Sequence, residues 1–215
     1  MKKEKKESGH FNLFPLFEFV AQHPALPPFA EKGEKRKSNS YVKAIVKLLG
    51  DAHIPQKGGW YVWGKFNESG FFEPLYVGKA SSGKTSNLFI RLRDELREEC
   101  AAIFATVYGK DAIADAAKRL YKGQAKKTGK DYYGTGDGVR RSLRKTGAHF
   151  VMWTVAPGWM TNKDISRVES VIINIFRPSC NMKRPKIDAK ALYEDPKVHP
   201  FILELEYEIG RILGE

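Results

Sequence analysis

The alternation of apolar and polar positions divides the chain into short elements. Over residues 41–49, Val42, Ile45, Val46 and Leu49 recur at the three- and four-residue spacing of one helical face, which predicts a helix. Lys57-Gly58-Gly59 interrupts it. Residues 60–66, rich in aromatic side chains, then predict a strand, 67–70 a turn and 71–79 a second strand, together a hairpin. From 87 to about 107, Leu88, Leu92, Leu96 and Ile103 predict a helix, followed by a shorter one over 111–121. A loop rich in Gly and Lys spans 123–138, before two helical turns at 139–145. Residues 148–155 predict a third strand ended by Pro157-Gly158, residues 164–176 a helix stopped by Pro178, and 201–213 a final amphipathic helix. There is no internal repeat.

The expected fold is therefore α/β: a small, mainly antiparallel three-stranded sheet flanked by helices, with helical extensions at both ends. Residues 1–55, with their Phe/Leu patch, prolines and charged stretch, predict an N-terminal extension. Residues 56–186 predict the main domain, with a basic insertion at about 98–147, and 187–215 an acidic helical segment.

Composition narrows the class. At 215 residues, 42% hydrophobic and 12% aromatic, the chain can bury a core, which excludes global disorder. Its apolar runs are too short for a membrane-spanning helix, so no membrane partner is expected. The lysine-rich start is followed by Asn12, Pro15 and Glu18, where a secretory leader needs an unbroken apolar run, and a cytoplasmic location is expected. Two cysteines, Cys100 and Cys180, make neither a disulfide framework nor a four-thiolate zinc site. The five histidines have no metal-ligand spacing.

The net charge of +12 is unevenly placed. Ten bases face two acids between Lys118 and Lys145, interleaved with Tyr121, Tyr132 and Tyr133, whereas seven acids face three bases from Asp188 onward. A concentrated basic segment with aromatic side chains suits a phosphate backbone, because each cation displaces condensed counterions; the bland alternative is a solvated loop that aids solubility.

Two motifs compete for one stretch. Gly78-Lys79-Ala80-Ser81-Ser82-Gly83-Lys84-Thr85 matches the phosphate-binding pattern G-x-x-x-x-G-K-T between a predicted strand and a predicted helix. Such a nucleotide hydrolase also needs an apolar strand ending in Asp for magnesium, and strands alternating with helices in a parallel sheet. Residues 150–156 end in Pro157-Gly158 without an acid, which argues against this reading.

The flanks of the same stretch read differently. Gly59-Trp60-Tyr61, then Tyr76-Val77-Gly78-Lys79, then Asn87-Leu88-Phe89-Ile90-Arg91, and finally Glu169 in a helix running into Phe176-Arg177-Pro178 with Asn181 beyond, occur in that order. With these motifs the chain resembles the GIY-YIG nuclease superfamily, over about residues 59–181 and with a basic insertion between Arg97 and Gly147.

Glu169 is unusual even without that resemblance. At about 100° per residue it lies about 40° from Ile165, about 60° from Ile172 and about 20° from Phe176, on the apolar stripe of its helix. A carboxylate there is paired or metal-bound, so the alternatives are an ion pair with an arginine and a Mg²⁺ held by one carboxylate, waters and a phosphate oxygen. Strand tyrosines mostly just pack. The resemblance implies more: Mg²⁺, with Mn²⁺ as substitute, on Glu169; Tyr61 as general base toward water; Tyr76 orienting water or phosphate; Arg91 holding the scissile phosphate; and Asn181 securing the loop after the Glu169 helix. An ordinary phenol, with a pKa of about 10, is a poor base at neutral pH, so Lys79, Arg91 and the metal would have to favour its ionised form. Where many relatives have His, this chain has Glu95, four residues after Arg91 and able to pair with it.

The function so implied is Mg²⁺-dependent hydrolysis of a DNA phosphodiester to 5′-phosphate and 3′-hydroxyl ends, of restriction or homing type. Lys126, Lys127, Lys130, Arg140, Arg141, Arg144 and Lys145 are the expected DNA-contacting surface, with Arg141 able to reach the active site. One catalytic domain carries one such site, so a clean double-strand cut would call for a homodimer on DNA. The alternatives are a non-cleaving nucleic-acid binder of the same fold, a nuclease acting on RNA, and the nucleotide hydrolase.

Overall fold

Three of the four strands come from the segments whose pattern predicted them. In the computed structural model, which describes residues 7–23, 40–98, 100–121, 142–181 and 198–214, β1 (Ser8–Asn12), β2 (Gly59–Phe66), β3 (Phe72–Ala80) and β4 (Phe150–Val155) form one sheet. Its order is β1-β4-β2-β3 and every neighbouring pair is antiparallel. The expected three-stranded sheet is thus corrected to four strands. The added strand, Ser8–Asn12, has one large apolar residue, Phe11, and so carries no alternation to announce it. It forms because the outer edge of β4 offers unpaired backbone groups, and Ser8 to Asn12 meet Thr154 to Phe150 there. Gly9 lies under the Trp153 ring, where an added Cβ would come within 2.8 Å of Cζ2.

By contact the described chain divides into two units. The first comprises Met1–Asn12, Asp51–Arg91 and Ala148–Glu215, and the second Leu13–Gly50 and Leu92–Gly147. The N-terminal stretch therefore contributes to both, and the segment expected as an insertion groups with residues 13–50.

In the first unit, Trp60, Val62, Val77 and Met152 turn one sheet face onto two helices. These are α6 (Asn162–Phe176), through Ile165, Val168 and Ile172, and α7 (His199–Gly214), through Phe201, Ile202 and Leu205. The buried Trp60 indole donates to the Ile165 carbonyl at 2.8 Å, satisfying its single polar atom. A capping box starts α6: Thr161 Oγ1 accepts from Asp164 N at 3.2 Å, and the Asp164 carboxylate accepts from Thr161 N at 2.9 Å. Arg177, left-handed at φ 46°, ends it before Pro178. The buried Glu208 of α7 accepts from Ser8 Oγ at 3.1 Å and from Arg211 at 3.2 Å, and lies 2.9 Å from His10 Nδ1, which ties α7 to β1. The β2–β3 turn closes on Asn67, whose Oδ1 accepts from Ser69 N and Phe71 N.

The second unit contains α1 (Phe14–Gln22), α2 (Ser40–Asp51), α4 (Cys100–Tyr108) and α5 (Lys110–Tyr121). It also takes up α3 (Leu88–Glu98) from Leu92 onward. The helix expected over 87–107 is described as α3 and α4, on either side of residue 99, which lies outside the described residues. The helix α1 arises in the stretch read as a Phe/Leu patch, with Pro15 in its first turn, where no backbone N–H is needed. Tyr41 of α2 packs on Phe19 and Phe104 and donates to the Leu96 carbonyl at 3.3 Å. The loop expected at 123–138 and the start of the helical turns at 139–145 lie outside the described residues; 142–144 are helical. No helix among the described residues is long and apolar enough to cross a membrane.

Candidate active site

The register of the β2–β3 hairpin decides which motif residues meet. Tyr61 pairs with Gly78, Trp63 with Tyr76, Trp60 with Lys79 and Val62 with Val77. Cross-strand partners share a face and successive residues alternate, so Tyr61, Trp63, Tyr76 and Gly78 lie on one face and Trp60, Val62, Val77 and Lys79 on the other.

On the first face the Tyr61 phenol lies directly over Gly78, where an added Cβ would collide with its ring and oxygen. That close approach is the physical reason for a glycine in Tyr76-Val77-Gly78. The Tyr61 side chain is fully buried, and its oxygen accepts from Arg91 Nε at 3.2 Å. The Tyr76 ring is 6.3 Å from that of Tyr61, inclined by 45°, and half-buried. Arg91 sits in the first turn of α3, whose start is secured twice: Asn87 Oδ1 accepts from Ile90 N at 3.0 Å as an N-cap, and Leu88 N donates to the Lys57 carbonyl at 2.8 Å. Arg91 and Arg93 lie on opposite edges of the apolar face of α3, so periodicity does not choose between them and only the motif spacing from Asn87-Leu88 singles out Arg91. In the structure Arg91 reaches the tyrosine, while Arg93 binds Asp94 at 2.9–3.0 Å.

On the second face Lys79 Nζ lies 3.3 Å from Glu169 Oε2 and donates to Ser166 Oγ. Glu169, 22% exposed, sits beside the buried Ile165, Val168 and Ile172 of α6. Lys79 is thus one ion-pair partner of Glu169, on the carboxylate that the sequence reading assigned to a metal with an arginine pair as the alternative. Ser166 was not foreseen; its spacing three residues before Glu169, on the same helical face, was the available signal.

Asn181 bridges to the edge strand. Its Oδ1 accepts from Val77 N and its Nδ2 donates to the Val77 carbonyl, both at 2.9 Å, while Cys180 N donates to the Leu75 carbonyl at 2.8 Å. The chain after α6 is thereby held on the outer edge of β3, satisfying backbone groups that an edge would leave open. Tyr61, Tyr76 and Arg91 form one group and Lys79, Ser166 and Glu169 another. The consecutive residues Gly78 and Lys79 of β3 join them, with Asn181 attached one residue earlier.

Among the described residues no three His, Cys, Asp or Glu side chains gather to form a metal cage. A single, partly buried carboxylate does fit a Mg²⁺ that keeps most of its waters and shares a substrate phosphate, since that ion is commonly held by one or two carboxylates.

Of the expected DNA-contacting residues, Lys126, Lys127, Lys130, Arg140 and Arg141 lie outside the described residues. Arg144 is exposed. Lys145 is corrected: both it and Glu95 are only 3% exposed, with Nζ 3.1 Å from Glu95 Oε2, so its ammonium is not on a surface that a phosphate can reach. Glu95, expected beside Arg91, has Lys145 as an ion-pair partner.

The phosphate-loop motif loses its geometry. Strand β3 ends at Ala80, α3 begins at Leu88 with Asn87 as its cap, and the sheet is antiparallel throughout. Lys84 and Thr85 therefore precede the helix rather than opening it, and their amides do not form the first-turn cradle that a nucleotide needs.

No protein-family model matches the chain, and neither does any curated protein or solved structure.

Proposed function

We propose that the chain is a Mg²⁺-dependent DNA endonuclease of GIY-YIG type. The observation that carries this reading is the Arg91–Tyr61 hydrogen bond over Gly78, which unites three of the sequence motifs at one point. Lys79 on Glu169, and Asn181 on Val77, add the remaining two positions to the same strand.

In this mechanism Arg91, exposed and multi-donor, binds the scissile phosphate and offsets the charge that develops on it. Lys79 adds a second cation and orients the Glu169 carboxylate. Glu169 would hold Mg²⁺ (or Mn²⁺), which would supply positive charge to offset that of the phosphate. Tyr61, in its ionised form, takes one proton of the attacking water as the water oxygen bonds to phosphorus and the bond to the 3′-oxygen breaks, the departing 3′-oxygen taking a proton from solvent to become the hydroxyl. Because that phenol is buried against Arg91, this role requires the substrate-bound site to admit one water there, beside the half-buried Tyr76. The burial of Tyr61 favours, as a second reading, a protein of this fold that binds DNA without cutting it.

A plasmid-nicking assay with Mg²⁺, with EDTA and with Glu169→Ala tests the proposal. Nicking that vanishes in EDTA and in the variant is expected. Undiminished nicking by the variant would overturn the assignment of Glu169. A salt-sensitive gel shift without nicking would establish the binding-only reading.

A further inference from the structure

The chain has four tryptophans. Trp60, Trp63 and Trp153 are fully buried, whereas Trp159 is 61% exposed, in the loop between β4 and α6. Its surroundings separate it from an ordinary exposed apolar side chain. Three loops are tied together at this end of the sheet: Ala156 N donates to the Gly58 carbonyl at 2.8 Å, Leu88 N to the Lys57 carbonyl at 2.8 Å, and Ser82 N to Asn162 Oδ1 at 3.2 Å. They bring the exposed Lys84 and the exposed Lys163 and Arg167 of α6 to the end of the sheet that carries Lys79. Among the described residues there, the acid Asp164 is taken up by the capping box and Glu7 by Lys57 at 3.1 Å. Lys163 and Arg167, four apart, form one stripe of α6, and Ser166 and Glu169 lie beside it. At 1.5 Å per residue, Lys163 and Glu169 are about 9 Å apart along the helix.

We infer that Trp159 is a stacking platform for an unpaired base of single-stranded DNA, whose backbone follows Lys163 and Arg167 toward Lys79 and Glu169. An indole can stack only on a base with a free face, and a cationic track beside an aromatic side chain is how single strands are held. A continuous duplex keeps its bases stacked on one another and offers no such face unless unstacking is forced. Taken with the endonuclease reading, on which its relevance to substrate rests, this makes the substrate a strand with unpaired nucleotides next to the scissile bond.

The burial of the other three tryptophans makes emission a local probe. The full chain is titrated in EDTA with oligothymidylate, and separately with a duplex of equal length. We expect the single strand to quench the solvent-exposed emission component and the duplex to leave it nearly unchanged. Trp159→Ala loses the quenching and binds the labelled strand on the order of ten-fold more weakly by anisotropy, while Trp159→Phe, which retains a ring, recovers most of the affinity. Absent quenching, equal quenching by duplex, or wild-type affinity in Trp159→Ala would overturn the inference. No hydrolysis occurs in EDTA, so a failed nicking assay sinks the endonuclease reading alone, and normal nicking with unquenched emission sinks only this one.

Discussion

Gly78 and Tyr61 show how much a single missing atom decides. The phenol occupies the space of the absent Cβ, is fully buried, and meets Arg91 at 3.2 Å from that seat. Gly78→Ala must displace either the ring or the strand, and overpacking of this kind costs roughly 1–3 kcal/mol. We expect a lower urea midpoint for Gly78→Ala, and nicking reduced further than the stability loss explains, because Arg91 loses its hydrogen bond to Tyr61. An unchanged midpoint with full activity would show that the ring moves aside at no cost. The tripeptides containing these residues were legible in the chain. That one glycine seats the other motif's tyrosine is a property of register, which neither tripeptide records.

At the scale of elements, α3 carries Arg91 in its first turn and the buried Glu95 one turn later. Lys145, from the turn after 142–144, buries its ammonium on Glu95 with both side chains 3% exposed. Breaking a buried pair by removing one member costs about 3–5 kcal/mol, whereas replacing both with apolar residues of similar size is often neutral. We therefore expect Lys145→Met to unfold at markedly lower denaturant, and Glu95→Leu/Lys145→Met to recover most of the loss. The salt dependence of DNA binding by the double variant should match that of the parent, since a buried ammonium releases no phosphate counterions. A shallower salt dependence would return Lys145 to the contacting surface.

For the molecule as a whole, the consequences of charge for stability appear where one group titrates differently on folding. Burial, and then the charge of Lys65, lower the pKa of His149 from its ordinary value of 6.5. The unfolded chain therefore takes up a proton at higher pH than the folded chain does. Stability is unaffected by this group well above 6.5, falls as the pH drops through 6.5, and levels off below the depressed folded value. We expect His149→Gln to remove that part of the decline, measured as urea midpoints on either side of 6.5. An identical pH profile in the variant would mean that other groups carry it.

Taken alone, the sequence determined the β2–β3 hairpin, β4, α2, α5, α6 and α7, because each has an apolar face whose period is local and survives in the order of residues. It also determined the order of the motifs and the odd position of Glu169 on an apolar stripe. Only the tertiary structure decided that Ser8–Asn12 is a strand, that Arg91 hydrogen-bonds to Tyr61, that Glu169 pairs with Lys79, and that Glu95 pairs with Lys145. The physical reason is common to all four. A face is set by neighbours a turn or two residues away, but an open strand edge or a desolvated charge is satisfied by whichever group the fold brings to it. Those groups lie 30 to 146 positions distant, Arg91 from Tyr61 at the near limit and Thr154 from Ser8 at the far one.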